Sequence, residues 1–151
     1  MATANKIYAD PSALLKLYRH EPESRAVAAW RGTIKGPLPV THHGRVELTN
    51  GIALAAHRGL INERACEAAL AALDDDFEQG RYLLAEIPWR AVLRRAADLS
   101  REHSRNLGTR TLDVLHVASA LELGSQIFVT FDHRQQSLAR ATGLKIPAPT
   151  R

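Results

Sequence analysis

Two short apolar runs that lead into acidic residues constrain this chain more than any other feature. KIYA, residues 6–9, is followed directly by Asp10, and IFVT, residues 127–130, is followed one residue later by Asp132. Both runs are too short to form helices of their own, and they predict strands that enter a core. A carboxylate at the end of a buried strand needs either a structural or a chemical explanation.

Helical patterns alternate with such short runs along the whole chain. Further strands are predicted at residues 39–41, 81–87 and 144–146. Capping signals and apolar spacing predict helices over residues 12–20, 43–57, 63–78, 88–104, 109–123 and 133–142. A further helix is predicted to start near Ser24 and to run through the segment AVAAWR. This alternation is typical of an α/β fold, a parallel sheet with helices on both faces. We expect one domain over residues 1–151, with its core at about 5–147.

The composition excludes several classes of protein. The chain has 151 residues, is 45% hydrophobic and contains one cysteine, Cys66, so neither an internal disulfide nor a cysteine zinc cluster can form. No apolar run approaches the ~20 residues that span a bilayer. The segment MATANKIYADPS lacks the pattern of a signal peptide. We therefore expect a cytoplasmic globular protein.

The first two acids suit the edge of a parallel sheet. Ligands bind there, outside the carboxyl ends of the strands. If strands 6–9 and 127–130 are neighbours, Asp10 and Asp132 lie at one edge. The alternative is that both are helix caps, since Asp10 precedes Pro11 and Asp132 precedes a helical segment.

Two more acids lie within predicted helices. Asp113 is near the start of TRTLDVLHVASALEL, where a negative charge also suits the helix dipole. Glu47 lies in RVELTNGIALAA, and its neighbours three and four positions on are Asn50 and Gly51. That polar or small face is either exposed to solvent or the floor of a site.

Four carboxylates that meet would favour a metal ion. Clustered carboxylates repel each other, and a hard divalent cation relieves that repulsion. Ligand sets made only of oxygen select Mg²⁺ or Mn²⁺ rather than zinc. Such ions activate water and stabilise charge on a phosphoryl group, so phosphodiester hydrolysis is the predicted chemistry.

The chain resembles a PIN domain, in particular the VapC toxins of VapBC toxin–antitoxin modules. The resemblance is carried, in order, by KIYADPSALLKLY, RVELTN, TRTLDVLHVASALELG and IFVTFDHRQQSLARATGL. It implies a single three-layer α/β/α domain with a mainly parallel central sheet. It also implies an endoribonuclease that depends on Mg²⁺ or Mn²⁺ and leaves 5′-phosphate and 3′-hydroxyl ends. The implied metal ligands and catalytic residues are Asp10, Glu47, Asp113 and Asp132.

The same resemblance gives roles to two hydroxyl residues, and the sequence itself offers basic candidates around the acids. Ser12 and Thr130 match hydroxyl positions that orient the carboxylates, although Ser12 is alternatively a helix cap. Lys16, Arg19 and Arg134 are candidate contacts to RNA phosphates, against the alternative that they are exposed and have no role. A basic region either attracts phosphate backbones or, as its charge alone favours, is a solvated helix face. It contains Arg90, Arg94, Arg95, Arg101, Arg105 and Arg110.

Three histidines are weaker candidates for the site. His116, three positions after Asp113, could reach the acids, but its apolar helix favours a histidine packed in the core. His42 and His43 could bind metal, although a pair in a loop is more often solvated.

The resemblance also implies partners. They are an RNA substrate and a VapB-type antitoxin, and the chain would form a homodimer or a toxin–antitoxin hetero-oligomer. The apolar faces of SALLKLY and AVAAWR are candidates for a groove that receives an antitoxin helix, unless they are core. The rival interpretation of the whole chain is a non-catalytic module with a PIN-like fold that binds RNA or protein and uses its acids as caps.

Overall fold

The computed structural model describes residues 3–147, and strands alternate with helices throughout. The strands are β1 (Ile7–Ala9), β2 (Leu38–Thr41), β3 (Tyr82–Ala85) and β4 (Ile127–Val129). The helices are α1 (Pro11–Leu14), α2 (Ser24–Gly32), α3 (His42–His57), α4 (Glu63–Glu78), α5 (Trp89–Leu99), α6 (Arg105–Leu107), α7 (Thr111–Glu122) and α8 (His133–Ala141). The predicted α/β class is confirmed. The predicted extent of a single domain, 1–151, stays a prediction, and its termini lie outside the described residues.

All four strands pair in parallel. In the β1–β4 pair Ile7 lies opposite Ile127, and the β2–β3 pair runs from Leu38 opposite Tyr82. Strands β1 and β2 contact each other, so the two pairs lie side by side. The N–H of Asp10 donates to the carbonyl oxygen of Val129 at 2.9 Å, which extends the β1–β4 pairing beyond the strand. The two acids therefore follow paired strands, which meets the condition under which the sequence places them at one edge.

Alternate residues of the central strands face two separate apolar clusters. Ile7, Ala9 and Val129 belong to one cluster, which also contains Leu48 of α3. Tyr8 and Phe128 belong to the other, together with residues of α5, α7 and α8. Because successive strand residues point to opposite faces, the helices cover both faces of the sheet. This arrangement is the predicted three-layer α/β/α architecture.

Three predicted elements differ from the structure. Residues 144–146 form no strand, because pairing beside β4 is limited to a single bridge between Lys145 and Ile127. The helix predicted over 12–20 is α-helical only at Pro11–Leu14 and tightens into a 3₁₀ turn at Leu15–Leu17. The helix predicted over 88–104 contains a π-helical segment, Ser100–Ser104.

Two boundaries near these elements also differ by one residue. Pro88 is the N-cap of α5 rather than its first helical residue. Helix α3 begins at His42, because the side chain of Thr41 accepts a hydrogen bond from the N–H of Gly44 and caps the helix there. No helix in the part of the chain from 3 to 147 is long and apolar enough to cross a membrane.

Candidate active site

A cleft of about 740 Å³ opens at the carboxyl ends of β1 and β4. The four acids predicted from the sequence all line it, although they come from four different elements or loops. The lining residues are Asp10, Pro11, Ser12, Leu15, Glu47, Arg110, Thr111, Leu112, Asp113, His116 and Asp132. The fold therefore brings together residues that are up to 122 positions apart, counting from Asp10 to Asp132.

Asp10 is a nearly buried carboxylate held by neutral donors. Its side chain caps α1, where Oδ2 accepts from the N–H of Ser12 at 3.0 Å and also from the Ser12 hydroxyl. Its Oδ1 accepts from Nε2 of Gln135 at 3.0 Å. Asp10 is only 6% exposed, and no Lys, Arg or His within the described residues forms an ion pair with it. Its negative charge is therefore compensated only in part by these neutral donors.

Asp132 and Asp113 also bond to helix termini. Asp132 caps α8, with Oδ1 accepting from the backbone N–H groups of Arg134 at 2.9 Å and Gln135 at 3.1 Å. Asp113 lies in the first turn of α7, where Oδ2 accepts from the N–H of Arg110 at 3.3 Å. The capping interpretation is therefore structurally correct for three of the acids. Capping does not remove them from the cleft, since each carboxylate still lines it.

Glu47 reaches the cleft from the middle of α3. Its Oε2 bonds to Nε2 of His116, and its side chain is 25% exposed. One turn later, Gly51 lets Leu15 pack closely, because a Cβ at position 51 would lie 2.9 Å from Leu15 Cδ2. Leu15 itself lines the cleft. The small face of α3 is therefore packed beneath the site at Gly51.

His116 is both a buried histidine and part of the site. Its Nδ1 lies 2.6 Å from the Tyr8 hydroxyl, and its Nε2 bonds to Glu47. Burial raises the pKa of Tyr8, so its hydroxyl keeps its proton and stays a hydrogen-bonding partner of the imidazole. Burial acts to lower the pKa of His116, but the bond to Glu47 and the charge of Asp10 outweigh it and raise that pKa. The core interpretation of His116 is thus right but incomplete.

His43 packs behind His116. The two imidazoles stack with centroids 4.8 Å apart, and the His43 ring tilts against Trp89 at 5.0 Å. Burial, followed by the charges of His116 and His42, lowers the pKa of His43 to about 4. His43 is therefore a neutral packing residue at pH 7. His42 instead bonds to Glu86, with Nε2 and Oε1 2.7 Å apart.

The two predicted hydroxyl residues play different parts. The Ser12 hydroxyl donates to the Asp10 carboxylate and so orients it, while the Ser12 N–H completes the helix cap. Thr130 is fully buried, and its Oγ1 accepts from the backbone N–H of Asp132 at 3.2 Å. Thr130 therefore holds the backbone before α8 rather than a carboxylate.

The basic residues near the site differ in whether they already pair with acidic residues of the protein. Lys16 pairs with Glu21 at 3.2 Å and Glu23 at 3.1 Å, and Arg19 also pairs with Glu21 at 3.2 Å. Both cations are therefore already paired with glutamates of the protein. The guanidinium of Arg134 makes one long bond, 3.5 Å from Nη1 to the carbonyl oxygen of Gly108.

Arg110 lies at the cleft, whereas the sequence named it only as one member of a basic region. Its side chain is 79% exposed, and its Nε is 3.5 Å from Oδ2 of Asp113. In the sequence it is one of the six arginines of that region, three positions before Asp113. Because it is exposed, Arg110 is better suited to contact an anionic ligand than Lys16 and Arg19, which are paired with glutamates.

Gln135 is a residue of the site that sequence reasoning missed. It is fully buried, and its Nε2 donates to Oδ1 of Asp10 at 3.0 Å and to the carbonyl oxygen of Asp113 at 3.2 Å. A glutamine in the first turn of a predicted helix carries no signal of such contacts, which depend on how three elements pack.

The residue types at this cleft fit a hard divalent cation. Carboxylate oxygens are the ligands that Mg²⁺ and Mn²⁺ prefer. Within residues 3–147, however, no three Asp, Glu, His or Cys side chains stand close enough together to hold one ion. The carboxylates are bonded to protein donors instead. Their convergence on a metal ion therefore stays a prediction.

Comparison with known proteins defines the class to which this fold and cleft belong. The model of the PIN domain family, described as "PIN domain", matches residues 7–141. The chain therefore belongs to the PIN domain family, and within it to the VapC-type proteins.

Particular relatives come from Mycobacterium tuberculosis. The chain is 34% identical to Ribonuclease VapC35 over 148 residues, which cover 95% of this chain and 96% of that protein. It is 30% identical to Ribonuclease VapC46 over 146 residues, covering 95% and 98%. The crystal structure of FitAcB from Neisseria gonorrhoeae superposes with a TM-score of 0.58 at 22% identity, covering 95% of this chain and 97% of that one. This last likeness supports the fold alone.

Proposed function

We propose that the protein is an endoribonuclease that depends on Mg²⁺ or Mn²⁺ and acts as the toxin of a toxin–antitoxin module. Its M. tuberculosis relatives are named ribonucleases and match nearly the whole chain. The four acids that the proposal needs line one cleft. Because its substrate is cellular RNA, the proposal places the protein in the cytoplasm.

The observation that carries the proposal is the environment of Asp10. A buried carboxylate is costly unless a cation or several donors compensate for its lost hydration. Asp10 is 6% exposed, and its partners are the neutral groups of Ser12 and Gln135. Three more carboxylates share its cleft. A divalent cation would supply the positive charge that the direct partners of Asp10 do not provide.

The four acids and two of their neighbours have defined tasks in this proposal. The metal would be held by Asp10, Glu47, Asp113 and Asp132. When bound, it would activate a water molecule and stabilise charge on the phosphoryl group. Ser12 fixes the orientation of the Asp10 carboxylate, and His116 fixes that of Glu47. Hydrolysis would leave 5′-phosphate and 3′-hydroxyl ends.

RNA would reach the cleft past Arg110. This guanidinium is exposed beside Asp113, so it can bond to a phosphate without losing a buried partner. Arg134 would add a second phosphate contact from the start of α8. Lys16 and Arg19 would have to exchange their glutamates for phosphates, so we assign them smaller contributions.

The proposed protein partner is a VapB-type antitoxin. In the α1 and α2 region, Leu14 and Val27 are buried and belong to the molecule's own interior. Leu15 and Leu17 are only partly buried against the core. A helix of the antitoxin would pack on this remaining apolar surface. The toxin would be a homodimer or part of a hetero-oligomer with the antitoxin.

The test is cleavage of a mixed RNA pool by the purified chain with Mg²⁺, with Mn²⁺ or with EDTA. We expect cleavage only with metal, and a loss of at least a hundredfold in the Asp10→Asn and Asp113→Asn variants. Asp74→Asn is the matched control, because Asp74 is an exposed acid that pairs with Arg45 at 3.6 Å and does not line the cleft. If no metal supports cleavage and the variants bind RNA like the wild type, the protein is a binding module whose acids are caps.

A further inference from the structure

Gln135 connects three of the four acidic residues of the cleft. Its side-chain Nε2 donates to Oδ1 of Asp10 at 3.0 Å and to the backbone oxygen of Asp113 at 3.2 Å. Its backbone N–H donates to Oδ1 of Asp132 at 3.1 Å. One residue at the start of α8 therefore bonds to the ends of β1 and α7 and to the cap of its own helix.

We propose that Gln135 is a positioning residue that sets the relative placement of Asp10, Asp113 and Asp132 for metal binding. The inference rests on the proposed function, since it assigns Gln135 a part in the metal site. Gln135 need not touch the metal or the RNA itself.

The chemistry of its partners fixes the orientation of the amide. The Asp10 carboxylate and the Asp113 carbonyl can only accept hydrogen bonds, so the NH₂ group of Gln135 must face them. The opposite amide orientation would place Oε1 against two acceptors. Both donor hydrogens of the NH₂ group are thereby directed at the two acidic residues.

The amide oxygen of Gln135 argues against a role of this residue in stability alone. Oε1 of Gln135 is buried and has no hydrogen-bond partner within the described residues. A buried acceptor without a partner costs folding free energy. An unbranched apolar side chain would fill the same space without that cost. The glutamine is therefore better explained by the two bonds that it donates to the acidic residues.

Loss of this amide should affect the site more than the fold. Without Nε2, Asp10 keeps only its bonds to Ser12, and the first turn of α7 loses its link to α8. Groups that orient metal ligands typically contribute tenfold to a hundredfold to metal affinity or activity. The expected defect is therefore in metal binding, with kcat falling in parallel.

The test compares Gln135→Met with Gln136→Met by calorimetric titration with Mn²⁺ and by thermal unfolding without metal. Gln136 is the matched control: it is equally buried in the same helix turn, but its Nε2 donates to the carbonyl oxygen of Thr130 at 2.7 Å. We expect Gln135→Met to weaken Mn²⁺ binding about tenfold or more. Its Tm should stay within about 4 °C of the wild type. Gln136→Met should keep its Mn²⁺ affinity within about twofold, whatever its Tm.

Wild-type affinity in Gln135→Met would overturn the inference, and so would an equal loss in Gln136→Met. If Gln135→Met does not fold, Gln135→Asn decides, because it keeps the amide but is one methylene too short to reach both acceptors. It must also bind Mn²⁺ about tenfold more weakly. If the wild type cleaves RNA and binds Mn²⁺ while Gln135→Met binds it equally well, only the positioning role fails. If the wild type binds no Mn²⁺, the metal-dependent function fails as well.

Discussion

The Tyr8 hydroxyl lies 2.6 Å from Nδ1 of His116, although the two residues are 108 positions apart in the chain. Tyr8 belongs to β1, the strand directly before Asp10, and His116 bonds to Glu47 through its other nitrogen. The hydrogen bond therefore connects the strand beneath one acid to the imidazole that orients another. Removal of this bond should therefore affect both the activity of the cleft and the stability of the core.

We expect Tyr8→Phe to reduce both stability and activity. The change leaves Nδ1 of His116 buried without its partner, which costs about 1–3 kcal/mol of unfolding free energy. The stacking of residue 8 on Phe128 should survive, because the aromatic ring is kept. The imidazole then loses a bond that holds its ring in place beside Glu47, so RNA cleavage should fall about tenfold. Urea unfolding and cleavage rates measure the two effects.

Tyr82→Phe separates these effects. Tyr82 is also a buried tyrosine, and its hydroxyl accepts from the hydroxyl of Tyr18 at 2.9 Å, outside the lining of the cleft. It should lose stability while keeping wild-type cleavage. Equal activities in the two variants would show that the Tyr8–His116 bond serves only the fold.

His43 should make the protein less stable in mild acid. Its pKa in the folded state is about 4, below its ordinary value of 6.5, because of burial and the nearby charges of His116 and His42. As the pH falls from 6.5 towards 4, the unfolded chain takes up this proton before the folded chain does, so the unfolding free energy falls. Since His43 is only partly buried, we expect about 1 kcal/mol from this residue.

The measurement is the unfolding free energy between pH 7 and pH 4 for the wild type and His43→Phe. Phenylalanine keeps a ring against His116 and Trp89 but does not titrate, so the variant should lose less stability in that range. His20→Asn, a change at an exposed loop histidine, should keep the wild-type slope. Parallel curves for the wild type and His43→Phe would contradict the assignment.

Arg110 should contribute to RNA binding rather than to stability. Its side chain is exposed, and its pair with Asp113 is long at 3.5 Å, so Arg110→Gln should change the unfolding free energy by less than about 1 kcal/mol. Loss of one phosphate contact should raise KM and reduce the slope of log affinity against log salt by about 0.7 for single-stranded RNA.

Arg140→Gln provides the comparison for Arg110→Gln. Arg140 is an exposed arginine in the last turn of α8, whereas Asp132 caps the opposite end of that helix. Salt titrations of RNA binding should therefore separate the two variants. An equal loss of affinity in both would indicate a diffuse attraction of RNA to the basic surface.

The sequence predicts that Asp10 and Asp132 each follow a strand, because that depends on local patterns, whereas the pairing of the two strands is seen in the structure. Short apolar strands separated by helices must pair in parallel, and parallel strands bring the residues after them to one edge. Asp113 and Glu47 reach the same cleft through the packing of α7 and α3 on the sheet. Their place there was implied by the family resemblance rather than by periodicity.

Other features depend on tertiary contacts that no local pattern reveals. The run LKI has the composition of a strand, but only Lys145 pairs with β4. Gln135 resembles any polar residue in a first helical turn until α8 packs against the ends of β1 and α7. His116 lies on an apolar helix, so its spacing predicts burial but not its bond to Glu47.

The most direct test of the central claim is calorimetric titration of Mn²⁺ into the wild type and into four variants, Asp10→Asn, Glu47→Gln, Asp113→Asn and Asp132→Asn. If the carboxylates of the cleft form one metal centre, the wild type binds Mn²⁺ and each variant binds it at least about tenfold more weakly. Asp74→Asn should bind like the wild type. No binding by the wild type, or full affinity in any of the four variants, would contradict a metal centre built from these four acids.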